Sequence, residues 1–190
     1  MNEEHEYLLK QGMDSWNQWR KENPRVRPDL SGVDGRNRNF YGYNLRLADL
    51  GEANLETADF RDADLRQADL HGALLYRANL SGADLSGASL IGARMAGALF
   101  QKSNLDGAVL EEALATGADF TGANLAGAFA SHADFAGAVL VGCDLSSADF
   151  SYSNLLNANL RAAKRGGAVF SHANLIGAVL PSSDLWTERG

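Results

Sequence analysis

From Leu30 to Leu185 an apolar side chain returns at every fifth position. Of the 32 positions divisible by five in this stretch, 27 are Leu or Phe, and the exceptions are Gly35, Met95, Ala115, Ala130 and Arg165. Two places earlier the residue is Ala in 24 of the 32 cases, and the residue between is usually Asp or Asn, as in Ala48-Asp49-Leu50 and Ala58-Asp59-Phe60. A period of five fits neither regular element. On a helix each step of five turns about 140° and scatters the Leu residues over every face. In a strand an odd step sends successive residues to opposite sides. The chain must therefore turn a corner once per repeat, holding the Leu and the earlier Ala inside. Glycine agrees, because 15 of the 20 glycines lie two places after the central residue, where a turn with positive φ favours them.

Ahead of the repeat the pattern changes to a helical one. Leu8, Leu9, Met13, Trp16 and Trp19 fall within about 140° of a helical wheel, so the spacing predicts one helix over residues 3–22, ended by Pro24. Such a helix would cover the open end of a stacked core. Pro28, Arg38 and Tyr43 replace the usual inner Ala in the first turns and are expected to shape the junction. Only five residues follow Leu185, too few for a second helix. Either Trp186 folds over that end, or two copies pack their last coils together through Leu185 and Trp186 as an isologous homodimer.

Runs such as Ala78-Asn79-Leu80-Ser81-Gly82 and Ala83-Asp84-Leu85-Ser86-Gly87 resemble the motif of the pentapeptide-repeat proteins, and the resemblance covers residues 28–187. It implies an all-β solenoid, a right-handed quadrilateral β-helix of about eight four-sided coils with an N-terminal capping α-helix. The expected organisation is a cap and linker over 1–27, the β-helix over 28–187 and a tail over 188–190. Relatives that dimerise do so through the C-terminal coil. Residues twenty apart become vertical neighbours, so the core can be read in four columns. In two of them an Ala precedes a Phe, Ala130 before Phe150 and Ala115 before Phe135, which suggests that ring volume is balanced by the small neighbour. The fourth column is Leu from Leu45 to Leu145 and then meets Arg165. A charge there is costly to bury, so a bulge across 162–167 is expected to swing Arg165 outward.

Charge narrows the partners. The formal net charge of −7 and pI near 5.0 disfavour a protein that neutralises phosphates or anionic lipid, so neither direct nucleic-acid binding nor membrane binding is expected. The single cysteine, Cys143, makes no internal disulfide, and the acidic start Met1-Asn2-Glu3-Glu4 is unlike a secretory signal. A cytoplasmic location is the expectation. Residues 103–160 hold seven acids, Asp106, Glu111, Glu112, Asp119, Asp134, Asp144 and Asp149, and no Lys or Arg.

No catalytic constellation emerges. His71, His132 and His172 share a wall, but His132 and His172 lie two coils apart, too far for one metal ion, and read as solvated surface residues. Cys143 takes an inner Ala position and reads as a small core residue. The expectation is a non-enzymatic protein with no cofactor and no metal. Outward apolar residues Ile91, Val109 and Phe129 gather on the first wall, beside Glu111, Glu112 and Asp149. These six residues are the candidate protein-binding site of a scaffold or adaptor whose partner the sequence does not name. The alternative, implied by the resemblance, is a DNA-mimicking protein of the quinolone-resistance type that interacts with DNA gyrase. It ranks second because the acids spread over all four walls: Asp134 falls on the second, Asp119 on the third, and Asp106 with Asp144 on the fourth.

Overall fold

The computed structural model describes residues 2–181. Two helices come first, α1 (Glu3–Lys10) and α2 (Met13–Glu22), followed by a solenoid in which a two-residue turn recurs every five residues. Parallel bridges join the outward residue before each central position to the one twenty places on, from Asp29↔Asp49 to Asn159↔Val179. Each coil is therefore twenty residues long and turns four times. The rings of Phe100 and Phe120 stack at 4.7 Å, which is the spacing of neighbouring strands and measures the rise per coil.

One repeat shows why the chain takes this shape, because it accounts for every backbone donor. In residues 48–52, the Ala48 N–H closes the turn on the Leu45 carbonyl at 3.0 Å, and the Asp49 N–H reaches back to Pro28 at 2.7 Å. The N–H groups of Leu50 and Glu52 reach forward to Asp69 and His71 at 2.7 and 2.8 Å. Gly51 would be the one donor left over, and it donates to the side chain of Asp49 at 3.1 Å. The recurring Asp or Asn before each central residue is thus more than a polar outward group: it satisfies the fifth donor. The turn places its second residue at positive φ whether or not that residue is Gly, as at Glu52 (56°) and Leu47 (62°).

The core is continuous from Leu30 to Leu160. Ala115 and Ala130 are fully buried where three rings converge, Phe120 on Phe135 at 5.6 Å and Phe135 on Phe150 at 5.3 Å. The small residues make room for rings from adjacent columns as well as for the ring above. At Gly35 a Cβ would press on Leu55 and the Phe40 ring, so no larger residue fits there without rearrangement.

Two expectations are corrected. The N-terminal segment is not one helix over 3–22, because the chain breaks at Gly12, whose φ of 96° an α-helix does not admit. Nor is there a bulge at Arg165. Lys164 bridges Asp144, the Leu145 N–H donates to Lys164 at 2.7 Å, and the Ala168 N–H closes the usual turn on Arg165 at 3.0 Å. Arg165 stays in its column, half-buried, because the backbone ladder holds the register and the long side chain absorbs the misfit.

The helices cap the first coil by hydrogen bonding its open edge. Asp29 donates to His5 Nδ1 at 3.0 Å and accepts from the Asn2 N–H at 3.1 Å. Asn44 donates to Asn17 Oδ1 at 2.8 Å and accepts from the Trp16 indole at 2.7 Å. Arg20 is 2% exposed and donates to the carbonyls of Asn23, Val26 and Arg46. Burial lowers its pKa, opposed by the charge of Asp64. Leu9 and Trp16 are fully buried, while Met13 lies at the margin. Arg38 reaches the Leu9 carbonyl and so joins the first coil to α1, while Tyr43 packs edge-on to Phe40 within the coil. Leu185 and Trp186 lie outside the described residues. Among the described residues no helix is long and apolar enough to cross a membrane.

Candidate protein-binding face

The first face of each coil carries three outward positions, and the middle of the rod loads them with apolar and acidic groups. Val109 and Phe129 are bridged vertical neighbours, Asp149 bridges Phe129 from above, and Ser89 bridges Val109 from below. Phe129 is 51% exposed and Ile91 41% exposed. Glu111 and Glu112 are both exposed on the turn that follows Val109. The six residues singled out by sequence thus belong to one face over four successive coils.

Val109 and Phe129 stand where the repeat uses Asp or Asn to satisfy the fifth backbone donor. An apolar side chain cannot accept that N–H, so each forgoes a local hydrogen bond worth about 1 kcal/mol. Asp149 keeps the rule and accepts from the Ser151 N–H at 2.8 Å.

Charge differs sharply along the rod. In the lower coils Arg36 pairs with Asp34, Arg61 with Asp59 and Arg66 with Asp64, each at 2.7 Å, and Arg27 reaches Asp69 at 3.2 Å. Hydrogen bonding to Arg36 holds Asp34 down at about 2. In the acidic stretch Asp144 meets Lys164 at 3.6 Å. Asp106, Glu111, Glu112, Asp119, Asp134 and Asp149 make no ion pair among the described residues. Negative charge there is uncompensated.

Sequence reasoning missed a neighbouring feature. The rings of His132, Tyr152 and His172 stack in one column, His132 on Tyr152 at 5.0 Å and Tyr152 on His172 at 4.7 Å. The histidines are exposed, as expected, yet they are not isolated. The spacing of 132, 152 and 172 would have revealed the column had Tyr152 been read together with them. Tyr152 is 56% exposed, so the column presents ring edges to solvent beside Ser131 and Ser151.

Other chemistry-bearing groups are occupied. The Cys143 thiol is buried, donates to the Phe120 carbonyl at 2.9 Å and is pushed up by burial to about 12. His71 Nδ1 lies 2.9 Å from Asp69 Oδ1, and donating to that carboxylate raises the histidine's pKa. An open cleft of about 540 Å³ is lined by Tyr41, Arg61, Ser81, Gly82 and Lys102, with Arg61 already engaged on Asp59. Among the described residues no group of three His, Cys, Asp or Glu side chains could hold a metal ion.

A family model for pentapeptide repeats matches residues 44–82, 78–114, 93–129, 103–140, 131–164 and 153–185. Among solved structures, HetL, a pentapeptide repeat protein involved in heterocyst differentiation regulation from the cyanobacterium Nostoc, is 33% identical. That match covers 83% of this chain and 82% of HetL, with a TM-score of 0.31. Full-length QnrB1, a plasmid-mediated fluoroquinolone resistance protein, is 17% identical over 77% of this chain and 88% of that one, with a TM-score of 0.34. Rfr23 from the cyanobacterium Cyanothece is 23% identical over 81% and 97%, with a TM-score of 0.25. No curated protein sequence matches.

Proposed function

We propose that this chain, which belongs to the pentapeptide repeat family and forms a right-handed β-helix behind two N-terminal helices, is a non-enzymatic scaffold that binds another protein. Its cross-section is four-sided, in about eight coils. Residues 1–27 serve as cap and linker, 28–187 as the repeat body and 188–190 as a tail. The partner meets the first wall at Ile91, Val109 and Phe129, next to Glu111, Glu112 and Asp149, in the cytoplasm. A homodimer through the C-terminal coil is compatible with this use, because the contact face lies in the middle of the rod.

One observation carries the reading. At Val109 and Phe129, in two consecutive coils, the repeat gives up a backbone-satisfying Asp or Asn for an apolar side chain that is left in contact with water. Single apolar residues take this place elsewhere, as at Leu114 and Val169, but among the described residues Val109 and Phe129 are the one bridged apolar pair, and such a strip gains most when it is covered. The DNA-mimic reading has no comparable support, since the unpaired acids surround the rod without forming a stripe.

The test is a photo-crosslinking residue at position 129, compared with one at Ser86 on the fourth wall, in the intact protein in its native cytoplasm. A defined protein adduct from 129, absent from 86 and lost when Val109 is changed to Asp, supports the scaffold. Equal labelling from both positions refutes the face.

A further inference from the structure

Resting on the scaffold reading, we infer that the partner's contact segment is cationic and amphipathic: its apolar side chains cover Val109 and Phe129, and its Arg or Lys side chains meet Glu111, Glu112 and Asp149. An apolar strip of two vertical neighbours is bounded on its turn side by two exposed glutamates and above by an aspartate. None of the three acids has an ion pair among the described residues, and the stretch from 103 to 160 contains no Lys or Arg to supply one.

An acidic segment would meet three like charges at the rim, and a neutral apolar one would strip water from the glutamates without replacing it. Both outcomes cost free energy. A guanidinium or ammonium beside each carboxylate removes that cost and speeds encounter at low salt. The lower coils of the same face offer no equivalent site, because their bridged outward residues are Asp29, Asp49 and Asp69 rather than an apolar pair.

Tyr152 adds the far edge of the contact. The ring column lies across the same face from Phe129, with the short Ser131 and Ser151 between. The face therefore sets an apolar strip on one side and a column of stacked rings on the other, with short side chains between. A segment seated there is bounded on both sides, which an isolated apolar spot would not provide.

The experiment measures binding of three labelled peptides to the full chain by fluorescence anisotropy: one alternating Leu and Arg, one alternating Leu and Glu, and one alternating Gly and Arg. The Leu/Arg peptide is expected to bind at least tenfold more tightly than either of the others. Neutralising Glu111, Glu112 and Asp149 together (to Gln, Gln and Asn) is expected to weaken it tenfold and flatten its salt dependence. A control that neutralises Asp106, Asp119 and Asp144 removes the same net charge from other walls and should change binding less than threefold. Circular dichroism verifies that each variant is folded. Equal loss in the control means that net charge alone attracts the peptide, which overturns the inference. Tighter binding of the Leu/Glu peptide that is abolished by Phe129→Ser overturns the cationic partner while leaving the scaffold face in place. If Phe129→Ser affects no peptide, and position 129 yields no adduct in cells, the face itself is wrong.

Discussion

The indole Nε1–H of Trp16 donates to the backbone carbonyl of Asn44 at 2.7 Å, tying the second helix to the open edge of the first coil. That single bond explains why a large aromatic residue, fully buried, faces an edge that would otherwise hydrogen bond a preceding strand. Trp16→Phe keeps most of the buried ring and removes the donor, leaving the Asn44 carbonyl unsatisfied. The expected loss is about 1–3 kcal/mol. Trp16→Ala adds a cavity and is expected to cost about 3–5 kcal/mol. Urea unfolding followed by circular dichroism measures both, and a Trp16→Phe variant as stable as the native protein would contradict the capping role.

Turn geometry separates Gly92, two places after its central residue, from Gly166, one place after. Gly92 has φ of 62° and open space where a Cβ would stand, so Gly92→Ala tests conformation without a clash. It is expected to lower stability by about 1 kcal/mol. Gly166 also has open space, but its φ lies outside the left-handed region. Gly166→Ala is expected to raise stability by about 0.5 kcal/mol by restricting the unfolded chain. Opposite signs in paired urea titrations are the outcome to look for.

His71 gives the fold a small pH dependence. Its hydrogen bond to Asp69, with further help from Asp49 and Glu52, raises its pKa above the unfolded value. The folded state therefore holds the proton more tightly. The resulting stability is complete below the unfolded pKa of about 6.5 and is lost as pH rises through the folded value. His71 is about half exposed, so solvent limits the effect to a few tenths of a kcal/mol. The midpoint of thermal unfolding should fall slightly from pH 6 to 8 in the native protein, and this slope should shrink in His71→Asn. A steeper slope in the variant would mean that another group governs it.

Purified DNA gyrase should be neither inhibited nor protected from a quinolone by micromolar amounts of this chain. A phosphate-binding groove reads ordered rows of charge, whereas Glu111, Asp119, Asp134 and Asp144 belong to four different columns. Inhibition relieved by neutralising Glu111, Glu112 and Asp149 would move the DNA-mimic reading ahead of the scaffold.

The repeat alone settles which way each of its five positions points. Leu50 and Ala48 point inward, Asp49 points outward and residue 52 turns, because the direction of a side chain in a repeat of five depends only on its place in that repeat. The register needs no distant partner to define it, and a period of five that never slips from Leu30 to Leu185 leaves one solution. The resemblance carried by those same residues extended this to coils of twenty and so brought Val109 and Phe129 together.

Contacts made one coil away or across the cap emerged only in the folded chain. Asp49 proved to satisfy the Gly51 N–H because that donor alone has no strand partner. Tyr152 joined His132 and His172 because stacking at the coil spacing suits flat rings. Arg20, a charge within the apolar arc of the helical wheel, is buried because three carbonyls of the cap and first coil accept from it. Arg165 kept its column, against its charge, because the hydrogen bonds of Leu145 and Ala168 hold the backbone whatever side chain it carries. At Arg165 a cooperative ladder of main-chain bonds, spread over neighbouring coils, outweighed the preference of one side chain.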